Sequence, residues 1–221
     1  MTDAPDLFSI LDHYIDDLFA PSDEALDGAL RSARQNGLPE IEISRGQGKL
    51  LYLFAKLIGA KRILEIGTLG GYSTIWLARA LPEDGKLTTL EYEPDFAKVA
   101  EGNLERAGLG DQAEVIVGAA LDTLPRLKEQ GPFDLVFLDA DKINYAAYLD
   151  AVMDHVRPGS LILADNVIRK GAVLAPRADD ASANGARAFN KALAADDRLE
   201  AVVVQQVGVK GHDGLAVARV K

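Results

Sequence analysis

The chain has 221 residues and a formal net charge of −10, and it is 48% hydrophobic and 26% charged. That balance suits one globular domain, long enough to bury about 70% of the surface of its unfolded chain. The acidic excess, without a basic tract, argues against nucleic acid or an acidic membrane as partner, because phosphate binding draws on clustered Lys and Arg. With no cysteine in the sequence, thiol nucleophiles, disulfides and zinc–thiolate sites are removed together. Any metal must then be held by oxygen or histidine. Asp3 and Asp6 stand where a signal peptide carries positive charge, and no apolar run approaches the roughly 18 residues that span a bilayer. A cytoplasmic chain without a membrane segment is expected.

From the N-terminus, Leu7, Ile10, Leu11, Ile15, Leu18 and Phe19 recur at helical spacing, until Pro21 interrupts them. Ser22 is placed to cap a second helix through Ala25, Leu26 and Ala29, ending near Gly37 and Pro39. A third covers about Gly48 to Ile58. After Gly59 the period changes, and residues 1–58 are therefore read as a helical extension to a core over 59–221. Short apolar runs at Arg62 to Ile66, Leu87 to Glu91, Ala113 to Val117, Phe133 to Leu138 and Ser160 to Ala164 read as strands. Stretches at Ser73 to Leu81, Pro94 to Ala107, Ala119 to Gln130 and Tyr145 to Val156 are long enough for crossover helices. Near-continuous apolar strands suit a sheet covered on both faces, so the expected class is a doubly wound, Rossmann-like α/β sheet, mostly parallel. Ala201 to Val207 and Leu215 to Val220, joined by Gly208 to Gly214, predict a C-terminal antiparallel hairpin. Arg169 to Asn184 reads as a polar loop.

In open α/β sheets the ligand sits beyond the carboxyl ends of the strands. Those ends carry Glu65, Glu91, Asp139 with Asp141, and Asp165 with Asn166. The first turn, Glu65-Ile66-Gly67-Thr68-Leu69-Gly70-Gly71-Tyr72-Ser73, supplies small residues that let a ligand approach the backbone at a helix start. Glu91 stands where an acid would bind ribose hydroxyls, which suits either a nicotinamide dinucleotide or S-adenosylmethionine. The turn departs from GxGxxG, and Glu65 would repel a pyrophosphate. S-adenosylmethionine carries an ammonium and a sulfonium and no phosphate, so Coulomb attraction to an acid-lined crevice favours it. Asp139, Asp165 and Asn166 form a second group of oxygen donors suited to a hard cation such as Mg²⁺, with Ca²⁺ or Mn²⁺ as alternatives. Three readings stay open from residues alone: a methyl-transferring enzyme, an NAD-dependent oxidoreductase, and a non-catalytic S-adenosylmethionine-binding protein. His13, His155 and His212 have no ligand-type partner at helical spacing, and Trp76 is read as packing.

RILEIGTLGGYSTIWLA from Arg62, LEYEP from Leu90, FDLVFLDADKINY from Phe133 and LILADNV from Leu161 resemble the cation-dependent class I O-methyltransferases of the catechol and caffeoyl-CoA type. The resemblance runs over about Ile41 to Lys221 and extends to an AFN segment at Ala188 and a DGLAV segment at Asp213. It implies that Glu65, Gly67, Tyr72 and Ser73 hold the methionine part of S-adenosylmethionine and that Glu91 takes the ribose. Gly118, Ala119 and Ala120 would meet the adenine, and Asp139 would also touch the cofactor. Asp139, Asp165 and Asn166 would be the metal ligands, Lys142 the general base, and a phenolic small molecule with vicinal hydroxyls the acceptor. A homodimer is also expected. SRGQGKLL near Ser44 is more basic than the family's usual stretch there.

Overall fold

In the computed structural model, which describes residues 7–221, the N-terminal helices are α1 (Leu7–Phe19), α2 (Glu24–Gln35) and α3 (Arg45–Leu57). Asp3 and Asp6 lie outside the described residues. Asp23, not Ser22, caps α2, because its carboxylate accepts the free N–H groups of Ala25 and Leu26 at 3.1 and 3.0 Å. Ser44 caps α3 through Gln47 N.

The core alternates β1 (Arg62–Ile66), α4 (Tyr72–Ala78), β2 (Lys86–Glu91), α5 (Pro94–Arg106), β3 (Ala113–Val117), α6 (Ala120–Thr123), β4 (Phe133–Leu138), α7 (Tyr145–Val152), β5 (Val156–Ala164), α8 (Ala181–Ala195), β6 (Leu199–Gly208) and β7 (Gly211–Val220). The sheet order is β3-β2-β1-β4-β5-β7-β6. β1 to β5 run parallel, β7 pairs antiparallel with β5, and β6 with β7. The chain winds outward from β1 to β3, then restarts at β4 on the other side. The strand order reverses between β1 and β4, where the carboxyl ends open a crevice.

Strand periodicity explains how one sheet serves two cores. In β1, Ile63 joins the cluster under α2 to α5, whereas Leu64 and Ile66 face α7 and α8; in β4, Leu135 and Phe137 alternate likewise with Val136 and Leu138. Each such fully buried side chain contributes about 1.5–3 kcal/mol over leaving it in water. α3 docks on α4 so closely that a Cβ at Gly48 would stand 2.4 Å from the Trp76 ring, which is the packing role read for Trp76.

Several expected boundaries move. Pro125 lacks an N–H, so the Ala119–Gln130 helix is the single turn α6 followed by a 3₁₀ segment, Leu124–Gln130. The stretch after Tyr145 likewise ends in a 3₁₀ turn at Met153–His155. β5 starts four residues earlier than expected, through Pro158 and a left-handed Gly159 that read as a turn. The hairpin turn is only Val209 and Lys210, since Gly208 pairs with Gly211. His212 therefore lies in β7. The loop expected to Asn184 stops at Asp180, whose carboxylate accepts Ala183 N at 2.8 Å and starts α8. Among the described residues, no helix is long and apolar enough to cross a membrane.

Candidate active site

A cleft of about 810 Å³ opens over the reversal point. Gly67, Tyr72, Ser73, Glu91, Gly118, Ala119, Ala120, Asp139, Lys142 and Asn166 line it, so ten of the twelve sequence-predicted site residues converge there. Its volume suits a nucleoside-sized ligand with room beside it.

The β1–β2 half is shaped by backbone. Gly67 has φ 97°, and a Cβ there would sit 2.1 Å from the Asp139 carbonyl oxygen, so the turn after β1 can cross the end of β4 only with glycine. Leu69 follows in the left-handed region at φ 51°. Glu91 holds this turn: Thr68 N and Leu69 N donate to its Oε2 at 3.2 and 2.7 Å, and Glu93 N to its Oε1 at 3.0 Å. With three of about four lone-pair positions taken, the carboxylate keeps capacity for a hydroxyl donor on the cleft side.

Glu65 requires a correction. It does not reach the cleft wall, because its fully buried carboxylate accepts Ser73 Oγ at 2.6 Å, Thr74 Oγ1 at 2.5 Å and Thr89 Oγ1 at 2.8 Å. Burial pushes its pKa up to about 7, against the pull of those three hydroxyls. Glu65 thus orients Ser73, which does line the cleft, and ties the start of α4 to β1 and β2. Tyr72 contributes its ring to the wall, while its hydroxyl is buried near Trp76.

The β4–β5 half is shaped by charge. Lys142 is buried and its Nζ donates to Asp139 Oδ1 at 2.9 Å and to the Tyr145 hydroxyl at 2.6 Å. That hydroxyl in turn reaches the Leu138 and Asp165 carbonyl oxygens at 2.9 and 3.1 Å. Lys142 is held from behind by α8, whose Gly185 lies so close that a Cβ would meet the Lys142 carbonyl oxygen at 2.2 Å. Asp165 is buried just beneath the cleft wall, which it does not itself line. Desolvation, then the charge of Asp139, push its pKa up against Gln47, the Asn166 N–H and Lys142. Asn166 is left-handed at φ 56°, which brings it to the wall.

Among the described residues there is no group of three or more His, Asp or Glu suited to a metal. The candidate set is two carboxylates and an amide. These fit a hard dication: all three donors are oxygens, and two neighbouring carboxylates, one of them buried, share Lys142 as a compensating cation. Sequence reasoning missed Tyr145, Tyr148, Gln47, Thr74 and Thr89. Thr89 had a visible signal, a hydroxyl inside an apolar strand; Gln47 comes from the helical extension and had none. Tyr148 donates to Asp141 at 2.5 Å, which ties that cleft-lining acid to α7.

A doubly wound sheet with a nucleoside-sized cleft at its reversal point, edged by an acid at the end of β2, defines a Rossmann-like nucleoside-cofactor enzyme. The comparisons narrow this class. The family model described as O-methyltransferase matches residues 18–221. A catechol O-methyltransferase of Niastella koreensis is 50% identical over 217 residues, covering 97% of this chain and 98% of that protein. The O-methyltransferase of Bacillus cereus, solved in complex with SAH, superposes with a TM-score of 0.94 at 43% identity, covering 97% of this chain and 98% of that one. TomG of Streptomyces achromogenes, solved in complex with SAM, gives 0.93 at 45% identity, with 97% of each chain covered. The chain belongs to the O-methyltransferase family and is an S-adenosylmethionine-dependent enzyme. The oxidoreductase and non-catalytic readings fall with that.

Proposed function

We propose that the protein transfers a methyl group from S-adenosylmethionine to one oxygen of a vicinal aromatic diol, with a divalent cation, Mg²⁺ first, held by Asp139, Asp165 and Asn166. The observation that carries this reading is the placement of Lys142 against Asp139 at the carboxyl end of β4, with Asp165 buried at the end of β5. The catechol activity named for the Niastella koreensis relative supports the acceptor class.

A phenol with pKa near 10 is mostly protonated at neutral pH and needs activation before in-line displacement at a sulfonium methyl. Bound there, the dication supplies Lewis acidity and a two-oxygen template for the diol. The protein's own parts divide the rest. Glu91 receives the ribose hydroxyls, while Ser73, Gly67 and Tyr72 bound the methionine end. Gly118, Ala119 and Ala120 leave a flat, small-residue wall for the adenine. Asp139, Asp165 and Asn166 would hold the cation, and Lys142, in its neutral form, would take the departing phenolic proton at Nζ. Tyr145 keeps that nitrogen in place through its hydrogen bond. The test is a screen of vicinal diphenols with labelled S-adenosylmethionine. Turnover is expected with Mg²⁺ and lost in excess chelator; full activity in chelator removes the cation.

We infer further that two copies of the chain pair. α1 exposes Phe8, Tyr14 and Phe19, and the sheet ends in β6, a ten-residue edge strand exposing Val202, Val204 and Val207. A long apolar edge left bare would invite uncontrolled pairing. Light scattering should give twice the chain mass, and Val204→Lys should halve it; a wild-type monomer rejects the pairing.

A further inference from the structure

We propose that Arg169 is a specificity residue that pairs with a carboxylate carried by the phenolic acceptor, an inference that rests on the diol reading above. Each acid along the cleft already has donors. Glu42 pairs with Lys210 at 3.2 Å, Asp139 with Lys142 at 2.9 Å, Asp141 accepts Tyr148 and Asn144, and Glu91 takes three backbone N–H groups. Of the two cations that line the cleft, Lys142 is engaged. Arg169 is held loosely: its guanidinium makes no hydrogen bond among the described residues, and its ion pair with Asp213 is long, at 4.0 Å.

The backbone aims this side chain at some cost. Arg169 and Lys170 are both left-handed, at φ 52° and 53°, and Gly171 follows at 86°. Such strain persists in non-glycine residues only where the surroundings impose it, and it concentrates at ligand-binding turns. Here Asp213 of β7 imposes it, since a single oxygen accepts Ile168 N, Arg169 N and Gly214 N, each at 2.9 Å. Gly214 provides the room, for a Cβ would stand 2.5 Å from Ile168 Cδ1. Arg169 lines the same cleft as Lys142 and Asn166. A planar, always-charged fork at that place matches a carboxylate bidentately.

The experiment compares a dihydroxybenzoate with its methyl ester, two acceptors of similar size that differ by one charge. In the wild-type protein kcat/KM favours the carboxylate, chiefly through KM. Arg169→Gln should lower the acid-to-ester ratio by about 10- to 100-fold, the worth of a charge-assisted pair. Arg169→Lys should recover part of it, and calorimetric binding of the dihydroxybenzoate to the protein with S-adenosylhomocysteine should weaken in parallel without turnover. If both acceptors react and the ratio stays within about twofold in both variants, Arg169 is not the pairing residue. If the wild-type protein methylates neither, the diol reading falls and takes this inference with it.

Discussion

The two halves of the cleft are held by opposite means. On the β1–β2 side, the carboxylates of Glu65 and Glu91 are occupied by hydroxyls and backbone N–H groups of the protein itself, and glycine decides the shape. On the β4–β5 side, two carboxylates share one lysine, and a strained turn presents an arginine whose ion pair with Asp213 is long, at 4.0 Å. The first half is preorganised without a ligand. The second is under-compensated, and it gains from charge brought by a cation and an acceptor.

That contrast predicts where substitutions hurt. Gly67→Ala should cost most, about 3 kcal/mol or more of stability, because overpacking against Asp139 adds to strain at a left-handed position. It should also abolish S-adenosylmethionine binding, measured by calorimetry; an intact binding isotherm would mean the turn is softer than its packing implies. Next, Lys142→Ala should lower kcat by about 100-fold or more while changing cofactor affinity by less than about threefold. Equal losses in both would reject the base assignment and make Lys142 a structural counter-ion.

Glu65 gives a smaller effect with a definite sign. Its folded-state pKa of about 7 lies above the ordinary 4.5, so between those values the folded chain binds the proton more tightly than the unfolded one. Stability from this group is therefore complete below about pH 4.5 and is lost as pH rises through about 7. Glu65→Gln removes that loss, and its melting temperature relative to wild type should climb from about pH 4.5 to about pH 7. Parallel melting curves across that window would show the carboxylate to be ionised at no cost. The mildest change is Asp180→Ala, which removes the α8 cap for about 1 kcal/mol. It should lower Tm by about 2–4 °C and weaken acceptor KM before cofactor affinity, since α8 backs Lys142 and not the glycine turn.

The strand positions and the acids at their ends were readable because both follow from local pattern. Apolar runs of four to seven residues mark buried parallel strands, and the residue after each run is forced to the sheet's edge. Boundaries failed where polar or special residues sit inside elements. Pro158 and Gly159 concealed the start of β5, His212 and Asp213 concealed that of β7, and alanine-rich α8 lacked an apolar stripe. The role of Glu65 failed for another reason: an acid at a strand end can turn outward to ligand or inward to hydroxyls. Thr74 and Thr89, eight or more positions away, settle that choice.

Sequence alone thus determined the class of fold, the reversal point and the chemical types gathered there, because hydrophobic period and chain order are local properties that the sheet merely stacks. Only tertiary structure decided which acids are satisfied and which are left wanting. That depends on Gln47 of α3 reaching Asp165 and on Asp213 of β7 holding the turn at Ile168 and Arg169, beyond the ends of β4 and β5, where the lost water makes every unpaired charge costly.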